Sequence, residues 1–173
     1  QGVKTLNNKT GINVPQEAAF ENIIQEKLNG DLEIKIYEAK DIQITNDDSP
    51  AAIKKYLGNL QNITLKNFEN FKKTPLMLLN EFINQNKSDS LYEYVRLNQN
   101  FIDDLLKMSV PSTWQAFHLQ LLNLEEKKIV IYQNLLNTED DPLKAVVAVN
   151  KIEDLFQEDA DLSAFLSDRL KEL

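Results

Sequence analysis

The chain has 173 residues, of which 42% are hydrophobic and 27% charged, and a formal net charge of −8. That length fits one domain with a core large enough to need no staples. The acidic balance argues against nucleic acid or an anionic membrane surface as partner, since either calls for a basic patch. The lack of cysteine excludes disulfides, thiolate zinc sites and cysteine nucleophiles. Four glycines and five prolines are too few for the tight turns of an all-β fold, so few, long elements are expected. No run of 18 apolar residues occurs, and hence no membrane span is expected in this chain.

Residues 1–14 are polar and aperiodic and read as flexible. Pro15 suits a first helical turn, and Phe20, Ile23, Ile24 and Leu28 give an amphipathic stripe, so a helix is expected at 15–28, stopped by Asn29 and Gly30. Residues 31–45 change period. Leu32, Ile34 and Ile36 alternate with Glu33, Lys35 and Tyr37, and the alternation returns at Ile42 and Ile44. With no second strand candidate, an extended arm along a helical body is the main reading; a small hairpin or a dimer edge comes second.

Ser49-Pro50 is the clearest helix start, a capping hydroxyl followed by a proline where no amide partner is needed. Ile53, Tyr56, Leu57, Leu60, Ile63, Phe68 and Phe71 follow at helical spacing, and Leu78, Leu79, Phe82 and Ile83 continue the stripe. Because the stripe keeps its phase across Pro75, a kinked helix is favoured over a break there. Residues 84–89 read as a loop, and Ser90-x-x-Glu93 as a capping box for a helix carrying Leu91, Tyr94, Val95, Phe101, Ile102, Leu105 and Met108. Ser109-Val110-Pro111 reads as a tight turn. Ser112-x-x-Gln115 is a second possible capping box, opening a helix that is apolar around most of its circumference and therefore central. Pro142 starts the last helix. The small run at 145–149 allows close approach, and residues 159–163 are expected to loosen or break it. Residues 138–173 hold ten acidic and four basic side chains, which read as a solubilising face with a docking face for a basic partner as the alternative.

The sole tryptophan and histidine, Trp114 and His118, both fall at the start of the central helix. A general base needs a positioned substrate and usually an orienting acid, and no motif supplies either, so His118 reads first as hydrogen-bonded structure. Trp114, His118 and Tyr56 are the candidate ligand-binding set if a pocket opens between helices. Asp159-x-Asp161-x-Ser163 starts like a calcium loop but has Ala164 and Leu170 where Gly and Glu are needed. No phosphate loop, nucleophile elbow or Glu-x-x-His pair is present, so no catalytic residue, metal or cofactor is expected. Asn8, Asn62 and Asn86 open Asn-x-Ser/Thr triplets, relevant only in a glycosylating compartment.

Two segments carry a resemblance. One is Asp48-Ser49-Pro50-Ala51-Ala52 with Tyr56 and Gly58-Asn59. The other is Val110-Pro111 with His118-Leu119-x-Leu121-Leu122-Asn123 and Asp141-Pro142-x-Lys144-Ala145. Over about 50–150 the chain resembles uncharacterised helical exported proteins of small-celled candidate-phylum bacteria. The resemblance implies an exported domain, membrane-anchored through an N-terminal segment that this chain, beginning at Gln1, does not hold; it implies no activity.

The expectation is therefore an all-α, up-and-down antiparallel bundle of about four main helices near 50–85, 90–108, 112–137 and 142–172. Residues 1–48 form a flexible segment, short helix and extended arm outside a bundle of 49–173. The expected function is non-enzymatic, an interaction or structural domain of the cell envelope. Its unidentified protein partner is met through the 31–45 arm or the acidic 138–173 helix. The alternative is a small-molecule-binding bundle.

Overall fold

A computed structural model describes residues 32–140 and 142–171. Its described part is predominantly α-helical. The helices are α1 (Pro50–Phe68), α2 (Pro75–Gln85), α3 (Asp89–Leu105), α4 (Gln115–Leu136), α5 (Pro142–Asn150) and α6 (Ile152–Lys171). Four of them are long, with α1, α3, α4 and α6 spanning 19, 17, 22 and 20 residues, and these are the main helices of the bundle. The segment expected at 1–14 and the helix expected at 15–28 lie outside the described residues.

Helix α4 is central. It packs against α3, α5 and α6, and Phe117, His118, Leu122, Leu124, Glu125, Ile129, Ile131, Tyr132 and Leu135 are buried along it. Partners on three sides explain why its apolar residues spread around the circumference rather than forming one stripe. In α5, Ala145 and Ala148 are buried against this helix, and their small side chains let the two backbones come close.

Several boundaries differ from expectation. The chain breaks before Pro75 instead of kinking. Phe68 ends α1, Thr74 is extended (φ −79°, ψ 157°), and its hydroxyl accepts from the Met77 amide at 3.3 Å. A residue before proline avoids the α region, and here it can cap the new helix as well. The in-phase stripe misled because Phe68 and Phe71 both still reach the Tyr94 ring, at 6.4 and 5.5 Å, through a non-helical connection. The last helix breaks at Lys151 and not at 159–163. The Lys151 amide is shared between the carbonyls of Val147 and Ala148 while its own carbonyl accepts from Leu155, so one residue closes α5 and opens α6. Residues 159–163 are continuous helix, which turns Asp161 away from the face shared by Asp159 and Ser163.

Neither expected capping box forms. Helix α3 starts at Asp89 with Ser88 as its cap residue, and the Ser90 hydroxyl takes the Lys73 ammonium at 2.5 Å. Ser112 to Trp114 form a 3-10 turn, and the Ser112 hydroxyl donates to Asp48. The Ser49 cap does form, its hydroxyl accepting from Ala52 at 3.3 Å.

The arm also pairs. Strand β1 (Gln43–Thr45) runs parallel to β2 (Ser109–Pro111), with Ile44 opposite Val110. The segment expected to be a tight turn is thus a strand. Its proline is the last residue of the ladder, where a missing amide costs least, and α1 to α3 supply the long crossover that parallel pairing requires. Upstream, Leu32 and Tyr37 are buried while Ile36 is 72% exposed, so the strict alternation stops before Tyr37.

Candidate functional site

The structure brings together all three side chains singled out from the sequence. Tyr56 projects from α1, Trp114 from the 3-10 turn and His118 from the first turn of α4. The Tyr56 ring lies 5.7 Å from Trp114 and 5.8 Å from His118, centroid to centroid. The Tyr56 hydroxyl sits 3.1 Å from His118 Nδ1, and His118 Nε2 sits 3.2 Å from the Leu105 carbonyl oxygen. A carbonyl only accepts, which assigns the proton to Nε2 and makes Nδ1 the acceptor of the tyrosine hydroxyl. Leu105 ends α3, and its carbonyl accepts both from the Met108 amide at 3.0 Å and from the imidazole, using its two lone pairs.

The cluster is closed. Tyr56, Trp114 and His118 are 2%, 1% and 0% exposed. Burial lowers the His118 pKa to about 4, against the pull of its bond to Leu105, and burial raises that of Tyr56. Both ring nitrogens are engaged, so a proton acceptor or metal ligand is available only by breaking a core hydrogen bond. Trp114 is roofed by the Arg169 guanidinium, 5.3 Å from its ring, and Arg169 also donates to the Thr113 carbonyl. Asp48 receives the Ser112 hydroxyl and both the amide and hydroxyl of Thr113. Tyr56 borders a surface hollow of about 350 Å³, with Thr45, Asp47, Lys55 and Asn59 on its walls.

A second polar cluster was missed. Glu125, 5% exposed, pairs with Lys128 at 2.9 Å, and Lys128 reaches Asp159 of α6 at 2.5 Å. Burial raises the Glu125 carboxyl, with the Lys128 ammonium opposing. Burial also works against the Lys128 charge, but Glu125, Tyr94 and Asp159 outweigh it and raise its pKa. The available signal was spacing: Glu125 stands seven residues after His118 and seven before Tyr132, on the same line of α4.

The arm and the acidic helix are partly used within the chain. Asn123 accepts from the Tyr37 amide at 2.7 Å and donates to its carbonyl at 3.2 Å, standing in for a neighbouring strand. The Tyr37 hydroxyl reaches Glu126. Glu158 and Asp159 of α6 are bound by Lys127 and Lys128. Helix α2 leaves several apolar side chains outside, with Leu76, Met77 and Ile83 70%, 48% and 62% exposed. Its sole formal charge, Glu81, is held by Lys73.

Among the described residues no group of three histidine, aspartate or glutamate side chains is placed to hold a metal ion, and no helix is long and apolar enough to cross a membrane. No protein-family model matches the chain, and neither does any curated protein or solved structure with which it was compared.

Proposed function

We propose that this chain is a non-enzymatic interaction domain and that α2 is its binding face. The observation that carries the reading is the exposure of Leu76 and Ile83 on a helix with one neutralised charge. Apolar, charge-depleted surface is costly to leave in water and marks contact with another macromolecule. The polar groups with reactive potential, His118, Tyr56, Glu125 and Lys128, are engaged inside the core, which leaves a substrate little to meet. A photo-crosslinker at Ile83, used in source cells, gives a discrete adduct that is absent with the crosslinker at exposed Asp103 and lost with Leu76→Glu. Equal labelling from both positions contradicts the reading. The resemblance to exported helical proteins supports placing the protein in the cell envelope; recovery of the full-length gene product in the cytoplasmic fraction contradicts that placement.

A small-molecule reading draws on the hollow beside Tyr56. It requires a ligand that perturbs Trp114 fluorescence and whose effect is lost in Lys55→Ala, a hollow-lining change outside the core.

A further inference from the structure

We infer that α6 is a detachable strap, which swings off α4 about Lys151 and bares a face that takes an acidic amphipathic helix of a partner protein. The face is separate from α2, and the two readings stand or fall apart.

Helix α6 is long but lightly seated. Of its 20 residues only Leu155 is buried, whereas α3 buries eight and α4 nine. Open hollows run along it. One of about 440 Å³ lies between Gln120 and Leu124 of α4 and Leu162 and Phe165 of α6. Another, of about 560 Å³, lies between Leu57 and Leu65 of α1 and Leu166 and Leu170 of α6. Packed interiors leave few gaps larger than a water molecule, so each hollow forfeits contacts that would hold the helix down.

Separate polar and ring contacts hold α6 instead. Lys127 binds Glu158 at 2.6 Å and Lys128 binds Asp159 at 2.5 Å, with the two carboxylate side chains 45% and 50% exposed. Pairs so open to water add little and weaken further in salt. Phe165 stacks on Phe117 at 6.3 Å, yet is itself exposed. Arg169 roofs Trp114 and reaches the Thr113 carbonyl. Lys151 alone joins α6 to α5, so a change of backbone angles at that joint carries the whole helix away.

Opening uncovers Trp114, Phe117 and Leu124 and frees the ammonium groups of Lys127 and Lys128. Apolar surface flanked by cations is costly to leave in water, and what covers it now shows what fits it. Leu155, Leu162 and Phe165 give α6 its inner line, with Glu158 and Asp159 between them. A partner helix with that spacing of apolar and acidic residues makes the same contacts in place of α6.

Hydrogen exchange of the whole chain tests the strap. Amides of residues 155–170 are expected to exchange at least tenfold faster than those of α4, as one unit with a smaller urea dependence. Phe165→Ala with Arg169→Ala speeds that exchange at least tenfold further and leaves α4 unchanged; circular dichroism checks that the variant folds. Rates and urea dependence equal to those of α4 in both proteins overturn the inference, as does residue-by-residue fraying without urea dependence. A fluorescein-labelled peptide of the sequence 152–171 probes the bared face. By anisotropy it binds the double variant at least tenfold more tightly than the parent, and adding Lys127→Glu to the variant reverses the gain. Equal affinity for parent and variant, or no binding to a variant whose α6 opens, overturns the assignment of the partner. Dimers of the double variant in sedimentation overturn it too, and give the face to α6 of a second copy.

Discussion

The Tyr56 hydroxyl and His118 Nδ1 lie 3.1 Å apart in the core and join α1 to α4, while the other imidazole nitrogen joins α4 to the end of α3. One neutral histidine thus ties three of the four long helices. Removing the hydroxyl leaves Nδ1 buried without a donor, a loss of about 1–3 kcal/mol. Tyr56→Phe is therefore expected to lower the unfolding free energy from urea titration by that amount, without changing secondary structure by circular dichroism. A Tyr56→Phe protein as stable as the parent would show that the bond is not made.

The same histidine sets a pH dependence. Its folded pKa is about 4 against an ordinary 6.5, so between those values the unfolded chain binds more protons than the folded one. The contribution is fully present above 6.5 and is lost as pH falls toward 4, a change of about 3 kcal/mol. Urea unfolding at steps from pH 7 to pH 4 is expected to show this slope, and His118→Gln to flatten it. Asp104, lowered by its bond to Lys66, acts in the same direction below the ordinary aspartate range and remains in the variant.

Glu125 and Lys128 depend on each other. Lys128→Met strands a buried carboxyl and is expected to cost about 3–5 kcal/mol, whereas Glu125→Leu with Lys128→Met recovers most of the loss, because an apolar pair replaces an ion pair. Equilibrium unfolding of both single variants and the double variant measures the coupling. Additive losses would place the two side chains apart.

Asn123 holds the arm through both backbone groups of Tyr37. Asn123→Ala is expected to raise amide exchange across residues 32–38 while leaving α4 protected. Unchanged exchange there would mean that the buried Tyr37 ring alone seats the arm.

Much of the helical scaffold was legible in the sequence. Ser49-Pro50 and Pro142 mark starts that the structure keeps, because a cap or a proline acts locally. Pro75 was misjudged because the apolar phase runs on while the backbone does not, and phase reports which side chains reach the core rather than chain continuity. The β1–β2 pair was illegible: three-residue strands whose partners are 66 residues apart, one ending in proline, carry no periodic signal. Trp114, His118 and Tyr56, singled out by residue type, lie against one another, as buried side chains. The Glu125 cluster was not singled out, since one charged pair on a helix looks the same exposed or buried until the neighbouring helix is placed. The exposed face of α2 was equally hidden: Leu76, Met77 and Ile83 have the composition of core, and only the packing of the other helices leaves them outside.

That face is the centre of the account, and its most direct test is a photo-crosslinker placed at Ile83 and, in a separate sample, at exposed Asp103. The account predicts a discrete adduct from Ile83 that Leu76→Glu removes and that Asp103 does not give. Equal labelling from both positions would contradict it.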